Sequence, residues 1–167
     1  MLDIKDNYLT SIEYDTILSK INDKESFNWF FIDHLNNNSK SGQFQFLHTL
    51  VNEGESNSPF TFICDILLSK LKKPVEVLRA RVNLFIKTKG EQDKLGFHQD
   101  VDTPSWLTLL YYLETSNGYT DFKTGEKVES VKNRAVIFPA NMYHQTITQT
   151  DKLFRKNINI NFRYIGE

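Results

Sequence analysis

Cysteine is almost absent from this 167-residue sequence, which contains only Cys64. A single cysteine excludes disulfides within the chain and zinc sites built from several thiolates. No apolar run approaches the length of a membrane-spanning helix, and the N-terminus lacks the basic and apolar regions of a signal peptide. These absences predict a cytoplasmic protein that has no membrane partner.

An excess of charge of one sign is also missing, since the net charge is −1. This balance argues against a broad nucleic-acid-binding surface and leaves a local patch of Lys87, Lys89 and Lys94 as the alternative. The sequence has no glycine-rich phosphate loop, and its helices and strands do not alternate, so a Rossmann fold is not expected. Aromatic residues, in contrast, make up 13% of the chain and suit a β-rich core.

The first part of the chain is predicted to contain two helices. Thr10 and Glu13 have the spacing of a capping box, and the apolar residues after them recur with a helical period. A second helix is predicted to start at Ser58, which is followed by a proline, and to end at Pro74. The composition of residues 34–42 is typical of a loop.

Period-two alternation dominates the rest of the sequence. Strands are expected over 27–32, 43–51, 75–88, 106–114, 134–139 and 156–162. Two helices and many short strands predict a mainly β protein, a sandwich or jelly roll with N-terminal helices packed outside. We expect one domain over 1–167, in which 1–74 gives helical and edge-strand support to a jelly-roll core at 75–167.

The motif GFHQD contains two residues that can bind one metal ion. His98 and Asp100 are two positions apart, and alternate side chains of a strand point to the same side. His144 follows the apolar strand at 134–139, and a hairpin would return it beside His98. Two imidazoles and one carboxylate are the ligands of non-haem Fe(II) oxygenases, although zinc also binds such residues. Asp102 is the alternative carboxylate.

A 2-oxo acid bound to iron would need a fixed cation for its far carboxylate. Arg155 begins the last long strand, and its guanidinium can pair with a carboxylate at two points. Lys152 and Lys156 are alternatives to it. The residues that share its strand face are Asn157, Asn159 and Asn161. A polar face opposite an apolar face fits a strand between a wet pocket and a packed core.

A tyrosine on the strand at 106–114 is a second candidate for this pocket. Thr108 and Tyr112 share one face of that strand. The hydroxyl of Tyr112 could share the carboxylate held by Arg155. A core tyrosine whose hydroxyl reaches the rim is an equally ordinary explanation.

In their order along the chain, these motifs resemble those of the Fe(II)/2-oxoglutarate-dependent oxygenases, in particular the small stand-alone, phage-type members of the prolyl-4-hydroxylase-like branch. The matching pieces are RVNLFIKT, GFHQD, LTLLYYLE, NGYTDF, RAVIFPANMYHQ and FRKNININF. The resemblance implies a double-stranded β-helix. The residues that it assigns to iron are His98, Asp100 and His144, and those that it assigns to 2-oxoglutarate are Arg155, Tyr112 and Thr108.

The resemblance also implies a reaction in which O2 and 2-oxoglutarate are consumed, succinate and CO2 are released and a substrate is hydroxylated. A prolyl or other peptide side chain is the first expectation for that substrate, and a small metabolite is the second. The alternatives are a jelly-roll protein that binds without turnover and a cupin-like enzyme with another oxidant. Asn83 and Phe85 are both candidates for the pocket residue that precedes the metal motif.

Overall fold

Strands make up most of the regular structure of this protein. The computed structural model describes residues 1–33, 43–87 and 90–166, so the predicted loop at 34–42 and Lys89 lie outside the described residues. The helices are α1 (Ser11–Ile21) and α2 (Phe62–Leu68), and among the described residues no helix is long and apolar enough to cross a membrane. The strands are β1 (Asp3–Lys5), β2 (Phe30–Ile32), β3 (Gln45–Asn52), β4 (Glu55–Ser56), β5 (Val75–Ile86), β6 (Leu107–Tyr112), β7 (Tyr119–Phe122), β8 (Lys127–Glu129), β9 (Arg134–Pro139), β10 (His144–Ile147) and β11 (Phe154–Tyr164).

The strands of the described residues form two antiparallel sheets. The larger sheet has eight strands in the order β1-β9-β6-β11-β5-β3-β2, with β4 paired to β3, and the smaller sheet has the order β10-β7-β8. Leu110 and Tyr112 of the larger sheet pack against Phe122 and Val128 of the smaller one. The two sheets therefore face each other, which confirms the predicted jelly roll, a double-stranded β-helix.

The apolar face of β11 packs against both helices. Ile158 and Ile160 are fully buried in one apolar cluster with Ile17 of α1 and Ile63 of α2. Complete burial of a side chain of this kind contributes about 1.5–3 kcal/mol to folding. The helices thus cover the outer face of the larger sheet, as predicted, and the polar face of β11 is turned toward the smaller sheet.

The first helix begins where its sequence predicts. The N–H of Glu13 donates to Thr10 Oγ1 at 3.3 Å, and the N–H of Thr10 donates to Glu13 Oε2 at 2.9 Å. This reciprocal pair is the predicted capping box, and it satisfies two backbone donors at the helix start.

The second helix is shorter than its sequence predicts. It spans Phe62–Leu68, whereas Ser58 and Pro74 were the expected limits. The N–H of Thr61 donates to Ser58 O at 3.2 Å, an i to i+3 bond that closes a tight turn rather than an α-helical one. Ser58 Oγ is also hydrogen-bonded to His48 Nε2 at 2.7 Å. Because Ser58 takes part in a turn and in a contact with β3, the helix starts after it.

Candidate metal centre

The two histidines of the predicted site are joined by a single antiparallel bridge. The N–H of His98 donates to His144 O at 2.9 Å, and the N–H of His144 donates to His98 O at 3.0 Å. Their ring centroids are 4.6 Å apart. His144 opens β10, as predicted, but His98 lies outside any regular strand and Asp100 lies in a bend. The prediction that His98 and Asp100 lie on one face of a regular strand is therefore wrong, although their side chains do lie close together.

A backbone contact turns Asp100 toward the histidines. The N–H of Asp100 donates to Ala140 O at 3.0 Å, just after the end of β9. The carboxylate Oδ1 lies 3.9 Å from His98 Nε2, and Oδ2 lies 3.8 Å from His144 Nε2. Two ligand atoms that each bind one ion at about 2.1 Å are at most about 4.2 Å apart. These spacings fit a shared ion.

Both imidazoles present Nε2 to the centre. His98 Nδ1 is hydrogen-bonded to Gly96 O at 3.2 Å, and His144 Nδ1 is hydrogen-bonded to Met142 O at 2.9 Å. A backbone carbonyl can only accept a hydrogen bond, so Nδ1 keeps its proton and donates, and Nε2 carries the lone pair that a metal would bind. Burial, reinforced by His144, lowers the pKa of His98, so its ring is neutral, the form that binds metals.

Side chains from two neighbouring strands hold the carboxylate of Asp100. Thr108 Oγ1 of β6 donates to Oδ2 at 2.7 Å, and Asn159 Nδ2 of β11 donates to the same oxygen at 3.1 Å. Asn161 Nδ2 donates in turn to Thr108 Oγ1 at 3.0 Å. Burial acts to raise the pKa of Asp100, but the two imidazoles and these hydrogen bonds outweigh it and lower that pKa. Asp100 is thus ionised, which is the form in which a carboxylate can bind a metal.

The three side chains open into a cavity between the two sheets. Its volume is about 450 Å³, and its lining includes Asn157 and Asn159 of the larger sheet and Thr120 of the smaller sheet. The two candidates for the pocket residue, Asn83 and Phe85, both line it. The alternative ligand Asp102 also lines the cavity but is exposed, and it lies outside the group of three ligand atoms that fall within 4.8 Å of one another.

Arg155 is fully buried on the face of β11 that also carries Asn157 and Asn159, four residues from Asn159. Its Nη2 donates to Ile147 O at 3.3 Å, and its guanidinium lies 5.2 Å from the ring centroid of Phe85. Nε and Nη1 are buried without a hydrogen-bond partner among the described residues. Burial lowers the pKa of Arg155, although an arginine remains charged at neutral pH. A buried cation with two unused donors fits an anionic ligand.

The lysines that were alternatives to Arg155 lie elsewhere. Lys156 is on the opposite face of β11, where its Nζ is 2.6 Å from Asn22 Oδ1 and 3.1 Å from Glu114 Oε1. Lys152 is exposed before the strand begins. Of these three basic residues, Arg155 alone has its side chain on the face that carries Asn157 and Asn159.

Tyr112 is near Arg155, but its hydroxyl is hydrogen-bonded to a threonine. Its hydroxyl is hydrogen-bonded to Thr120 Oγ1 at 2.7 Å and donates to Val128 O at 3.4 Å. Burial raises the pKa of Tyr112 to about 12, so it stays protonated. Thr120, which was not among the predicted site residues, lines the cavity, and its place in the motif NGYTDF was the available signal.

Thr108 lies at the metal end rather than at the Arg155 end. It is opposite Asn161 in the pairing of β6 with β11, six residues along β11 from Arg155. At about 3.4 Å per residue, that separation is roughly 20 Å. Its observed partner is Asp100. The hydrogen bond that Thr108 makes is therefore to the carboxylate of the candidate metal centre.

Two further cationic residues line the cavity, Arg79 and Arg81 of β5. Neither was among the predicted site residues. The available signal was the alternation of polar residues in RARVN, which places Arg79, Arg81 and Asn83 on one face of a strand.

No protein-family model matches this sequence, and no curated protein matches it. Solved structures do match. A prolyl-4-hydroxylase from Pseudomonas putida has 11% sequence identity and a TM-score of 0.63, and the match covers 99% of this chain and 93% of that one. A prolyl hydroxylase from Trichoplax adhaerens, solved with a peptide fragment of the hypoxia inducible factor oxygen degradation domain, has 14% identity and a TM-score of 0.66, over 98% and 83% of the two chains.

A third match is HygX from Streptomyces hygroscopicus, solved with nickel, 2-oxoglutarate and hygromycin B bound. It has 10% identity and a TM-score of 0.62, and the match covers 99% of this chain and 83% of that one. Identities this low establish the fold and not the activity. This chain has the fold of the 2-oxoglutarate-Fe(II) oxygenases.

Proposed function

We propose that this protein is an Fe(II)- and 2-oxoglutarate-dependent oxygenase. The observation that carries the proposal is the pairing of two features. Two imidazoles and one carboxylate converge on one point of the cavity, and a buried arginine with two unused donors lies on the same strand face farther along. This combination fits a metal-bound 2-oxo acid whose far end is a carboxylate.

The ligand residues have separate tasks in this proposal. His98 and His144 would hold iron through Nε2, with the backbone carbonyls at Nδ1 keeping the rings in position. Asp100 would supply the anionic ligand, and Thr108 and Asn159 would hold its Oδ2. Iron, when bound with 2-oxoglutarate and O2, supplies the oxidation of an unactivated C–H bond, with release of succinate and CO2.

Arg155 would bind the far carboxylate of 2-oxoglutarate. Its unused Nε and Nη1 can donate to the two carboxylate oxygens at once. Tyr112 supports the same end indirectly, because its hydroxyl holds Thr120 at the cavity wall. Because these groups are buried, their attraction for an anion is screened less than at the surface.

The proposed substrate is a prolyl or other peptide side chain. The cavity of about 450 Å³ has room for 2-oxoglutarate and for a side chain, rather than for a whole folded partner. The match to a prolyl hydroxylase solved with a bound peptide supports this choice.

Anaerobic spectroscopy tests the proposal. Addition of Fe(II) and then 2-oxoglutarate to metal-free protein is expected to produce a weak visible charge-transfer band. His98→Ala should abolish the band, because it removes a ligand. Arg155→Ala should keep iron binding but raise the 2-oxoglutarate concentration for half-saturation by about tenfold or more, since a charge-assisted pair is lost.

Lys152→Ala is the matched control for Arg155→Ala, because it removes an exposed positive charge near the start of the same strand. It should leave the band and its 2-oxoglutarate dependence unchanged. Absence of the band in the wild type, together with weak iron binding, would reject the oxygenase and favour a jelly-roll protein that binds without turnover.

A further inference from the structure

Arg81 lies close to the metal ligands. It is opposite Asn159 in the pairing of β5 with β11, and Asn159 Nδ2 is hydrogen-bonded to Asp100. Side chains directly opposite each other on one sheet face have Cβ atoms about 4.5–5.5 Å apart. Arg81 therefore lines the cavity next to the polar residues that hold the metal-binding carboxylate.

The neighbouring Arg79 is already engaged with protein groups. Its Nε donates to Asn161 Oδ1 at 3.1 Å, and its Nη2 donates to Asp100 O at 3.3 Å and lies 3.7 Å from Asp100 Oδ1. Arg79 thus helps to position Asp100, and its guanidinium is not available in the same way to a ligand.

Arg81, in contrast, has an unused donor. Its Nε is buried and has no hydrogen-bond partner within the described part of the chain. Burial and the nearby Arg79 lower the pKa of Arg81, which still leaves the guanidinium charged at neutral pH. A desolvated charged donor without a partner is unfavourable in the folded protein and becomes favourable when an anion pairs with it.

The charges of the filled cavity also favour an anion. Asp100 and the 2-oxoglutarate dianion would be balanced by Fe(II) and Arg155. The lining groups that remain are Arg79, Arg81 and the exposed Asp102. Two guanidinium groups against one carboxylate leave the substrate side of the cavity positive.

We propose that Arg81 binds an anionic group of the substrate, a carboxylate or a phosphate, and so sets which C–H bond faces the metal. This inference rests on the proposed oxygenase function. Arg155 and Arg81 would then serve two different anions, the cosubstrate at one end of the cavity and the substrate near the metal.

The test uses protein loaded with Zn(II) in place of iron and saturated with 2-oxoglutarate, so that the Arg155 site is filled. Acetate, methyl phosphate and the neutral isostere acetamide are titrated in turn, and binding is followed by ligand-observed NMR. We expect an anion to bind and acetamide not to bind. The tighter of acetate and methyl phosphate then identifies the anionic group.

Arg81→Gln should weaken binding of that anion by about tenfold or more, because it removes the charge and keeps a polar side chain. Its affinity for 2-oxoglutarate should stay within about twofold of the wild type, since Arg155 is untouched. Lys72→Gln, which removes an exposed charge outside the cavity lining, should change neither quantity.

Three results would overturn the inference. The 2-oxoglutarate-loaded wild type could bind neither anion, or Arg81→Gln could behave like Lys72→Gln. A large loss of 2-oxoglutarate affinity in Arg81→Gln would instead assign Arg81 to the cosubstrate. Failure of the oxygenase proposal is distinct from these, because the wild type would then fail to bind 2-oxoglutarate at all.

Discussion

The hydroxyl of Thr108 connects the carboxylate of Asp100 to the last strand. It donates to Asp100 Oδ2 and accepts a hydrogen bond from Asn161 Nδ2, and it is fully buried. Groups that orient a metal ligand in this way commonly account for 10–100-fold in metal affinity. In the proposed metal centre, Thr108 would therefore act on the metal through Asp100.

Thr108→Val keeps the shape of the side chain and removes the hydroxyl. We expect Fe(II) affinity to fall by about 10–100-fold, because Asp100 loses its shortest hydrogen bond. Anaerobic titration of Fe(II) into the metal-free variant measures this. Thr108→Ser, which restores the hydroxyl, should recover most of the affinity, and equal losses in both variants would contradict the role.

Gly118 provides the space in which the Arg155 guanidinium lies. A Cβ at this position would lie 3.0 Å from Ile147 O and 3.2 Å from both Cζ and Nε of Arg155. Gly118→Ala should therefore displace the guanidinium and raise the 2-oxoglutarate concentration for half-saturation by about tenfold. The anaerobic charge-transfer band provides the measurement. Fe(II) affinity serves as the internal control and should not change, and an unchanged 2-oxoglutarate dependence would show that Arg155 tolerates the methyl group.

Helix α1 is attached to the chain that follows α2 through a carboxylate at its first turn. Glu13 Oε1 lies 2.6 Å from Lys70 Nζ, and Glu13 Oε2 accepts hydrogen bonds from the N–H and the hydroxyl of Thr10. These bonds, with that from Lys70 the strongest, lower the pKa of Glu13 from 4.5 to about 2. Glu13 thus takes part both in the capping box of α1 and in an ion pair with the segment that follows α2.

A pH dependence of stability follows from this lowered pKa. The folded protein holds the ionised form more strongly than the unfolded chain does, so Glu13 contributes stability above pH 4.5 that is lost as the pH falls toward 2. Glu13→Gln should be less stable than the wild type at neutral pH, and the difference should shrink across this window. Urea unfolding at a series of pH values measures it. A difference that stays constant down to pH 2 would contradict the assignment.

Metal binding should stabilise the fold as a whole, since the ligands join the segment at 98–100 to the smaller sheet through β10. A metal at 100 times its dissociation constant adds about 2.7 kcal/mol to the free energy of unfolding. Thermal unfolding with and without Fe(II), under anaerobic conditions, should show a higher midpoint with metal. His144→Ala should lose this increment. His48→Asn should keep it, because His48 is bonded to Asn28 O and Ser58 Oγ and not to the centre.

Features that depend on neighbouring residues were predictable from the sequence. The strand at 134–139 is β9, and the alternation of β11 separates Ile158 and Ile160, in the helix-covered core, from Asn157 and Asn159, in the cavity lining. Because side chains of a strand alternate with a period of two residues, the pattern of polar and apolar residues indicates which face of the strand is buried. The capping box of α1 was predictable for the same reason, since its hydrogen bonds span three residues.

Features that depend on distant segments were decided by the tertiary structure alone. The bend that turns Asp100 toward His144 is held by Ala140 O, and the partner of Thr108 lies eight residues away on another element. The burial of Lys156 against Asn22 is likewise a contact between the two ends of the chain. Periodicity assigns a side chain to a face, but only the pairing of the sheets determines what stands opposite it. The sequence alone therefore determined the longer strands and the candidate ligands. The fold decided the short strands β7 and β8 and the position of the remaining polar residues around the candidate metal centre and the cavity.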